Sequence, residues 1–362
     1  MTLKFSNLNL KHFFSFALIA ICSILTMQAQ VGGKSTYNFL TLQPSARISS
    51  LGGNLIAVKD NDVNLAAQNP SLLNQTMNNT LAMNFSSYLV GVKFGSLAYA
   101  HQLKKLGMMQ AGVHYISYGD FKGTDATSTE TGSFYAGEQA LYVGLSKPID
   151  SSFTIGANVK AIYSVLEHYK SYGVAADVGV TYYNAPKNFT AALVVKNFGR
   201  QLKSYTNVKE KLPLDIQAAL SVRLKHVPLR ISLAGEHLEK WNLRYVDSVA
   251  IKASQSNLLG TADASSTKNK SYFLDKIMLH TVIGAEFLIT KNFNVRAGFN
   301  YRRRKELKEE SRAGIAGFSF GAGIKIYKFQ ISYGVASYHL GALSNTFSIS
   351  TRLSDFMTKS TP

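Results

Sequence analysis

The chain has 362 residues, and only 17% of them are charged, against roughly 25% in an average soluble domain. One Cys excludes a disulfide scaffold and a zinc ribbon, and the 46% apolar content argues against disorder. The formal net charge of +18 favours anionic binding partners. Nucleic acid, lipid phosphate and lipopolysaccharide are all candidates.

The amino terminus predicts a secretory signal peptide over residues 1–29. Lys4 and Lys11 precede an apolar run at 13–25, and Ala29 offers a cleavage position. The run is too short to cross a bilayer comfortably, so a membrane anchor is the weaker alternative. Cys22 makes a lipoprotein a further alternative. We therefore expect an exported protein.

Residues 30–79 lack the alternation of a strand and predict a separate plug segment. A short helix is expected from Asp62 to Gln68, capped by Asp60 or Asn61 and ended by a following Asn-Pro pair. The Leu, Ile and Phe side chains of the segment are too numerous to leave in water. We expect the segment to pack inside the domain that follows, and a flexible periplasmic tail is the alternative.

From residue 80 onwards, apolar and polar residues alternate with the period of a β-strand. Between Phe153 and Tyr163 the odd positions are apolar, whereas most even positions are small or polar. This pattern fits either a soluble sandwich or a membrane barrel with a wet lumen. In a barrel, Ile155 and Val159 would face lipid. Asn158 and Lys160 would face the lumen, where replacement by Ala is expected to cost little.

About fourteen segments match the alternating template. They are 80–86, 91–101, 107–118, 134–146, 153–166, 171–183, 188–198, 213–225, 228–239, 277–289, 293–303, 313–325, 328–338 and 343–353.

Strand length and loop order favour the membrane barrel over a periplasmic all-β domain. Several segments have the length of a tilted membrane strand, and fourteen is an even number, as bacterial single-chain barrels require. The long connections all fall between odd and even strands, at 119–133, 199–212, 240–276 and 304–312. Outer-membrane barrels sort their loops in this way, with short turns in the periplasm. The fold class expected is therefore an all-β transmembrane antiparallel barrel at 80–356, in the outer membrane.

Short motifs along the mature chain resemble the FadL-like outer-membrane barrels, and more narrowly the PorQ family of the type IX secretion system of the Bacteroidetes. The plug motifs that carry the resemblance are Tyr37-Asn38-Phe39-Leu40, Ser45-Ala46-Arg47, Leu51-Gly52-Gly53 and Asn69-Pro70-Ser71-Leu72-Leu73. The likeness continues at Gly156-Ala157-Asn158-Val159-Lys160, Val195-Lys196-Asn197-Phe198-Gly199 and His237-Leu238-Glu239-Lys240-Trp241-Asn242-Leu243. The PorV family shares some of the plug motifs.

The resemblance implies a non-enzymatic scaffold. PorQ-like barrels are thought to hold a PorZ-like surface protein beside PorU-like and PorV-like components, where secreted cargo is attached to lipopolysaccharide. The alternation itself serves equally well a FadL-like channel that takes up small hydrophobic molecules, which is the alternative function. Neither function requires a cofactor or nucleic acid as a partner.

No motif in the sequence indicates catalysis. The chain has no Gly-x-Ser-x-Gly elbow, no phosphate-binding loop and no His-Glu-x-x-His. Glu236-His237 and Glu167-His168 are acid–base pairs at strand ends that lack a third partner. We expect no catalytic, cofactor-binding or metal-binding residue, although a metal site assembled from distant strands stays open.

Two features of the predicted outer loops are candidate contacts for lipopolysaccharide or a partner. Arg302, Arg303, Arg304 and Lys305 end the eleventh predicted strand and enter a loop. A solvated rim facing lipid phosphates, a docking site and an anion-selective entrance are the alternatives for them. Trp241 lies at the base of the largest loop, where it serves either docking or the aromatic belt at the membrane interface.

Overall fold

The structure, a computed structural model, describes residues 35–89, 91–243, 267–307, 314–339 and 342–356. The predicted signal peptide at 1–29 lies outside these ranges. Within them, no helix combines the length and the apolar character needed to cross a bilayer.

Fourteen antiparallel strands form a closed barrel in which each strand pairs with its neighbours in sequence, and β1 pairs with β14. The predicted fold class is confirmed. The strands are β1 Thr80–Leu89, β2 Val92–Leu103, β3 Gly107–Thr124, β4 Glu130–Pro148, β5 Phe153–Leu166, β6 Tyr169–Asn184, β7 Phe189–Lys203, β8 Asp215–Arg223, β9 Leu229–Gly235, β10 Thr281–Phe287, β11 Phe293–Asn300, β12 Phe318–Ile326, β13 Phe329–His339 and β14 Ala342–Arg352.

The two ends of the barrel differ in the length of their connections. Even strands join the next odd strands through turns of two to five residues, and we call this the short-turn end. The long connections 204–214, 236–280 and 301–317 all lie at the opposite, long-loop end. The predicted sorting of short and long connections is therefore confirmed.

Two predicted loops are shorter than expected because the strands continue. The predicted loop 119–133 is mostly strand, since β3 and β4 pair as far as Thr124 and Glu130. The predicted loop 199–212 begins later, because β7 runs to Lys203. Backbone pairing needs no apolar face where both faces of a hairpin meet water, so a test for alternating apolar residues ends too early there.

Two predicted strand ends are helical. The expectation that Arg302–Lys305 end the eleventh strand is wrong, because β11 ends at Asn300 and a helix follows at Tyr301–Leu307. The Asn300 side chain accepts a hydrogen bond from the Arg303 backbone N–H at 3.1 Å, which is the geometry of a helix N-cap. The segment 277–289 likewise begins in a helix, Thr267–Leu279, and only then enters β10.

The N-terminal segment, residues 35–79, lies inside the ring of strands. It contains helix α1 at Ala46–Ser50, helix α2 at Val63–Gln68 and three 3-10 turns, at Asn38–Thr41, Pro70–Leu72 and Gln75–Met77. The helix Thr267–Leu279 is α3 and the helix Tyr301–Leu307 is α4, so the described residues hold four α-helices. The segment enters at the long-loop end, where Thr36 N–H donates to the Lys211 carbonyl.

Helix α2 is capped by a different residue from the one expected. The Asp62 carboxylate accepts a hydrogen bond from the Asn64 backbone N–H at 3.1 Å. Asp60 and Asn61 are therefore not the N-cap. The carboxylate of Asp60 instead lies against arginine side chains, described below.

Glycines on the inner wall make room for the N-terminal segment. A Cβ atom at Gly298 would lie 2.2 Å from the Gly52 nitrogen, and one at Gly156 would lie 2.4 Å from the Pro70 carbonyl carbon. Either contact is far shorter than van der Waals distance, so no side chain fits at these positions without moving the segment. The closeness of segment and wall is thus already encoded in the strands.

The two faces of β5 are assigned correctly by the sequence. Ile155 and Val159 are 41% and 63% exposed on the outside, whereas Asn158 and Lys160 are 0% and 5% exposed inside. A closed barrel leaves no unpaired strand edge, so this exterior is compatible with hydrocarbon.

The expectation that Lys160 can be replaced by Ala at little cost is wrong. Its ammonium lies 2.7 Å from the Asp177 carboxylate and 2.8 Å from the Asn197 side-chain oxygen, and all three residues are buried. Removing one member of a buried ion pair leaves the other charge uncompensated and costs about 3–5 kcal/mol. For Asn158 the expectation stands, because its amide has no hydrogen-bond partner among the described residues.

We expect Val159→Arg to lower the free energy of unfolding in lipid vesicles by about 2–4 kcal/mol, because it places a charge in the middle of a lipid-facing strand. Tyr172→Arg is the matched control, since Tyr172 also faces outwards but lies near the long-loop end of β6. That change should cost about 0–1 kcal/mol. Urea titration followed by heat-modifiable gel migration measures both, and equal losses would contradict the assignment of the lipid face.

Candidate functional site

Arg47 ties the N-terminal segment to the barrel wall. It lies in α1, and its guanidinium is 2.8 Å from the Glu286 carboxylate on β10. The same group is 2.7 Å from Asp60 and 3.3 Å from Asp62, both within the segment. Because Arg47 and Glu286 are both buried, water does not screen the interaction, and the pair fixes the position of α1 across the lumen.

Two further arginines on neighbouring strands share Glu286. Arg230 on β9 is 2.6 Å from its carboxylate, and Arg296 on β11 is 3.1 Å from it. Both residues stand directly opposite Glu286 in the strand register. Burial alone would raise the pKa of the Asp60 carboxyl, but the guanidinium groups of Arg47 and Arg230 hold that pKa below its ordinary value.

Arg230, Glu286 and Arg296 were not among the residues expected from the sequence. Each falls on the inward face of an alternating strand, where a charge must find a partner. Charges of opposite sign at matching inward positions of consecutive strands are the signal that could have found them.

The predicted plug residues around α1 lie against the inner wall. The Ala46 backbone N–H donates to the Ser348 hydroxyl, and the Gly52 N–H donates to the Ser319 hydroxyl. Ser45 is buried, with its hydroxyl unpartnered among the described residues. Gly53 has a left-handed backbone conformation at φ +92°, and a Cβ there would collide with the guanidinium of Arg303.

The second group of predicted plug residues surrounds the Pro70 turn. The Asn69 amide donates to the Ile56 carbonyl and to the Thr181 hydroxyl on β6. Pro70 begins the 3-10 turn that follows. Leu72 and Leu73 are buried in two different apolar clusters, so this turn packs in two directions at once.

One patch of the inner surface of the barrel at the long-loop end is apolar. Phe94, Ile116 and Ile162 face inwards from β2, β3 and β5, together with Ala140 and Ala175. The N-terminal segment fills the space between them with its own side chains, namely Tyr37, Phe39 and Leu40. This apolar site, as we call it below, is therefore occupied by the protein itself.

Tyr37, the first residue of the segment in the apolar site, has an unusual backbone conformation. Its φ of +57° lies in the left-handed region, which is uncommon for an aromatic residue. Its hydroxyl is 2.5 Å from that of Ser171 on β6. Such a conformation persists only because the surrounding contacts hold it.

The four basic residues expected on an outer loop lie on α4, and most of their side chains contact other residues of this chain. Arg302 is 3.7 Å from Glu236, and Lys305 is 3.2 Å from Asp275. Arg304 donates to the Gly314 carbonyl. Together with Arg303, which lies against Gly53, the group is less available to an external anion than its sequence indicates.

Trp241 lies on the surface at the long-loop end. It is 57% exposed, and its ring stacks on the His280 ring at 6.1 Å with an angle of 24°. The Phe273 ring of α3 is 6.2 Å away on the same patch and is also exposed. Trp241 thus joins the base of the largest loop to α3.

One group of residues has the composition of a metal site. Asp215, His237 and Glu239 each offer one ligand atom within 4.8 Å of the others. Their atoms already make hydrogen bonds, because Asp215 accepts from the His237 N–H at 2.8 Å and Glu239 accepts from the Ile216 N–H at 2.9 Å. These bonds account for the cluster as the joint between β8 and the largest loop.

The fold is similar to that of several solved structures. The Ralstonia pickettii toluene transporter TbuX is 11% identical, covers 88% of this chain and 100% of its own, and has a TM-score of 0.50. The TodX monoaromatic hydrocarbon channel, as its deltaS2 mutant, is 13% identical with coverages of 85% and 97% and a TM-score of 0.47. A Pseudomonas aeruginosa FadL homologue is 9% identical with coverages of 84% and 97% and a TM-score of 0.44.

Sequence comparison adds nothing to the structural likeness. No protein-family model matches the chain, and no curated protein matches it. None of the comparisons bears on the narrower PorQ resemblance. At these identities the likeness shows the fold alone, which is that of the FadL-like outer-membrane barrels.

We expect Arg47→Gln to loosen the N-terminal segment, because it leaves the Glu286 carboxylate with fewer cationic partners and removes the link from α1 to β10. Hydrogen–deuterium exchange should rise by at least about tenfold across 46–68, in line with a loss of more than 1.4 kcal/mol of local stability. Arg200→Gln is the matched control, since Arg200 is exposed on β7. An unchanged exchange rate in the segment of the Arg47 variant would show that other contacts hold it.

Proposed function

We propose that this protein is an outer-membrane channel for small hydrophobic molecules. The observation that carries the proposal is the apolar site at the long-loop end, where Phe94, Ile116 and Ile162 line the inner wall. Barrels that pass water-soluble solutes keep a polar, water-filled interior. An aromatic and aliphatic patch at the mouth instead favours a solute that leaves water readily.

The side chains of Phe39 and Leu40 occupy the place where such a solute would bind. Both are buried against the inner wall and belong to the 3-10 turn that follows Tyr37. In the proposed cycle the turn moves aside, and the hydrophobic molecule takes over its contacts. The exchange of one apolar group for another changes the buried apolar area little, so the free-energy difference between the two states is small.

The solved neighbours support the same class of solute. TbuX is a toluene transporter, and it shares the fold over almost all of this chain. The fold alone hosts different functions, so the support comes from the neighbour's solute together with the apolar site of this protein.

The test is uptake of radiolabelled toluene by cells whose outer membrane otherwise excludes it. We expect expression of the protein to raise the initial uptake rate, and Phe39→Ala to raise it further, because the truncation leaves an apolar cavity of the kind that binds benzene. Phe121→Ala is the matched control, since Phe121 is exposed on the β3–β4 hairpin. Uptake no faster than in cells without the protein would contradict the proposal.

A second proposed role is the surface scaffold implied by the PorQ resemblance. The observation that favours it is the exposed aromatic patch of Trp241 and Phe273 at the long-loop end. Aromatic residues are enriched at the centres of protein interfaces. On this proposal a PorZ-like protein docks on the patch, with PorU-like and PorV-like components and lipopolysaccharide nearby, and secreted cargo is attached there.

Co-purification from gently solubilised outer membranes tests the scaffold. We expect the protein to capture a PorZ-like partner, and Trp241→Ala to weaken the capture at least about fivefold, since buried aromatic anchors carry about 1–4 kcal/mol of binding energy. Leu106→Ala is the control, because Leu106 is an equally exposed apolar residue at the short-turn end. Full capture by the Trp241 variant would place the docking surface elsewhere, and absence of capture by the unchanged protein would contradict the role.

A further inference from the structure

A cavity of about 580 Å³ opens at the short-turn end of the barrel. Its inner side is formed by the Arg47 cluster, and its rim is formed by the turn between β10 and β11 together with the ends of β8 and β12. The cavity is separate from the apolar site, which lies at the opposite end of the lumen. Nothing in the proposed channel or scaffold role uses it.

The cavity carries a large excess of positive charge. Six cationic side chains line it against two carboxylates, those of Asp60 and Glu286, an excess of four charges. The cations are Arg47, Arg223, Arg230, Lys291, Arg296 and Lys325. Charges of one sign on concave walls of low dielectric concentrate the field and attract a counter-ion more strongly than a convex surface does.

Both carboxylates are already used by the inner arginines. Glu286 contacts Arg47, Arg230 and Arg296, and Asp60 contacts Arg47 and Arg230. The three rim cations have no such partner: within the described ranges, the side chains of Arg223, Lys291 and Lys325 form no ion pair with a carboxylate. Asp62 also contacts Arg47, so the three inner arginines face three carboxylates and the excess positive charge of the cavity lies on the rim.

We propose that this cavity binds the anionic oxygen groups of a phosphate or carboxylate. Guanidinium groups present parallel N–H donors that match such oxygens, and lysine ammonium groups add point charge. An anion held between the rim cations compensates their charge and relieves the repulsion among them. Arg47 and Arg230 contact Asp60 of the N-terminal segment, so the bound anion lies beside the contacts that hold the segment inside the barrel.

Isothermal titration of the whole protein in phosphatidylcholine nanodiscs tests the site, with inorganic phosphate or acetate as the probe at fixed ionic strength. We expect saturable binding to the unchanged protein. The triple variant Arg223→Gln, Lys291→Gln, Lys325→Gln should weaken it at least about tenfold, since each charge close to the anion contributes to the attraction. These three side chains are exposed and lie outside the Arg47 cluster, so the barrel should fold, which heat-modifiable migration checks.

A matched variant separates a built site from general surface charge. Lys104→Gln, Lys105→Gln, Lys187→Gln removes the same number of charges from exposed positions on other short turns. We expect its affinity to stay within about twofold of the unchanged protein, because these lysines do not line the cavity. An equal loss in this control, or no saturable binding to the unchanged protein, would overturn the proposal. If the triple variant does not fold, the single change Lys325→Gln gives the same comparison with Lys187→Gln.

Nanodiscs that also contain phosphatidylglycerol distinguish the two sources of the anion. If the lipid headgroup fills the cavity, phosphate binding disappears in these discs and the triple variant no longer differs from the control. If the anion is a soluble molecule, phosphate binds equally in both kinds of disc. Both results support an oxyanion site at the short-turn end, and they assign its occupant.

Discussion

A charged group inside a membrane barrel must be neutralised by its neighbours, and the interior of this protein is arranged around that constraint. The guanidinium of Arg47 contacts two carboxylates of its own segment and one on the wall. Helix α1 thus supplies a positive charge and β10 a negative charge that neutralise each other. An uncompensated charge at this depth would be far more costly than any single apolar contact. The position of the N-terminal segment follows from this balance.

The remainder of the lumen is divided along its length. Polar pairs such as Lys160 and Asp177 lie in the middle, whereas the apolar site lies at the long-loop end and the cationic cavity at the short-turn end. This division separates the protein from a water-filled pore with one kind of lining. On the proposed function, a hydrophobic solute that enters at the mouth meets the apolar site first, and the N-terminal segment has to move aside before the solute binds there.

The alternation of side chains predicted the barrel because each strand faces two different media. In β5 the in-and-out pattern from Phe153 to Ile162 is complete, and the observed strand has the predicted bounds. The prediction failed where that contrast vanishes. Both faces of the hairpin near Thr124 meet water, and the arginines after Asn300 form a helix through a local cap. Strand pairing and helix capping depend on local backbone hydrogen bonds, which the spacing of apolar residues does not indicate.

The site was less predictable than the wall. Arg47 and Asn69 stood out through the family resemblance, yet their partners Glu286 and Thr181 are distant in sequence and look ordinary there. The sequence around Trp241 did not indicate that its ring would stack on His280. Contacts between the segment and the wall depend on which strands lie opposite each other. In a single sequence, only isolated inward charges and glycines indicate such contacts.

The hydrogen bond from the Ala46 N–H to the Ser348 hydroxyl joins residues 302 positions apart. Closing the seam between β1 and β14 requires the chain to form a loop of nearly the same length. The entropy of that closure grows only slowly with length and is lost once, whichever of the two contacts forms first. Once α1 is docked on the last strands, closing the seam between β1 and β14 therefore costs little further loop entropy.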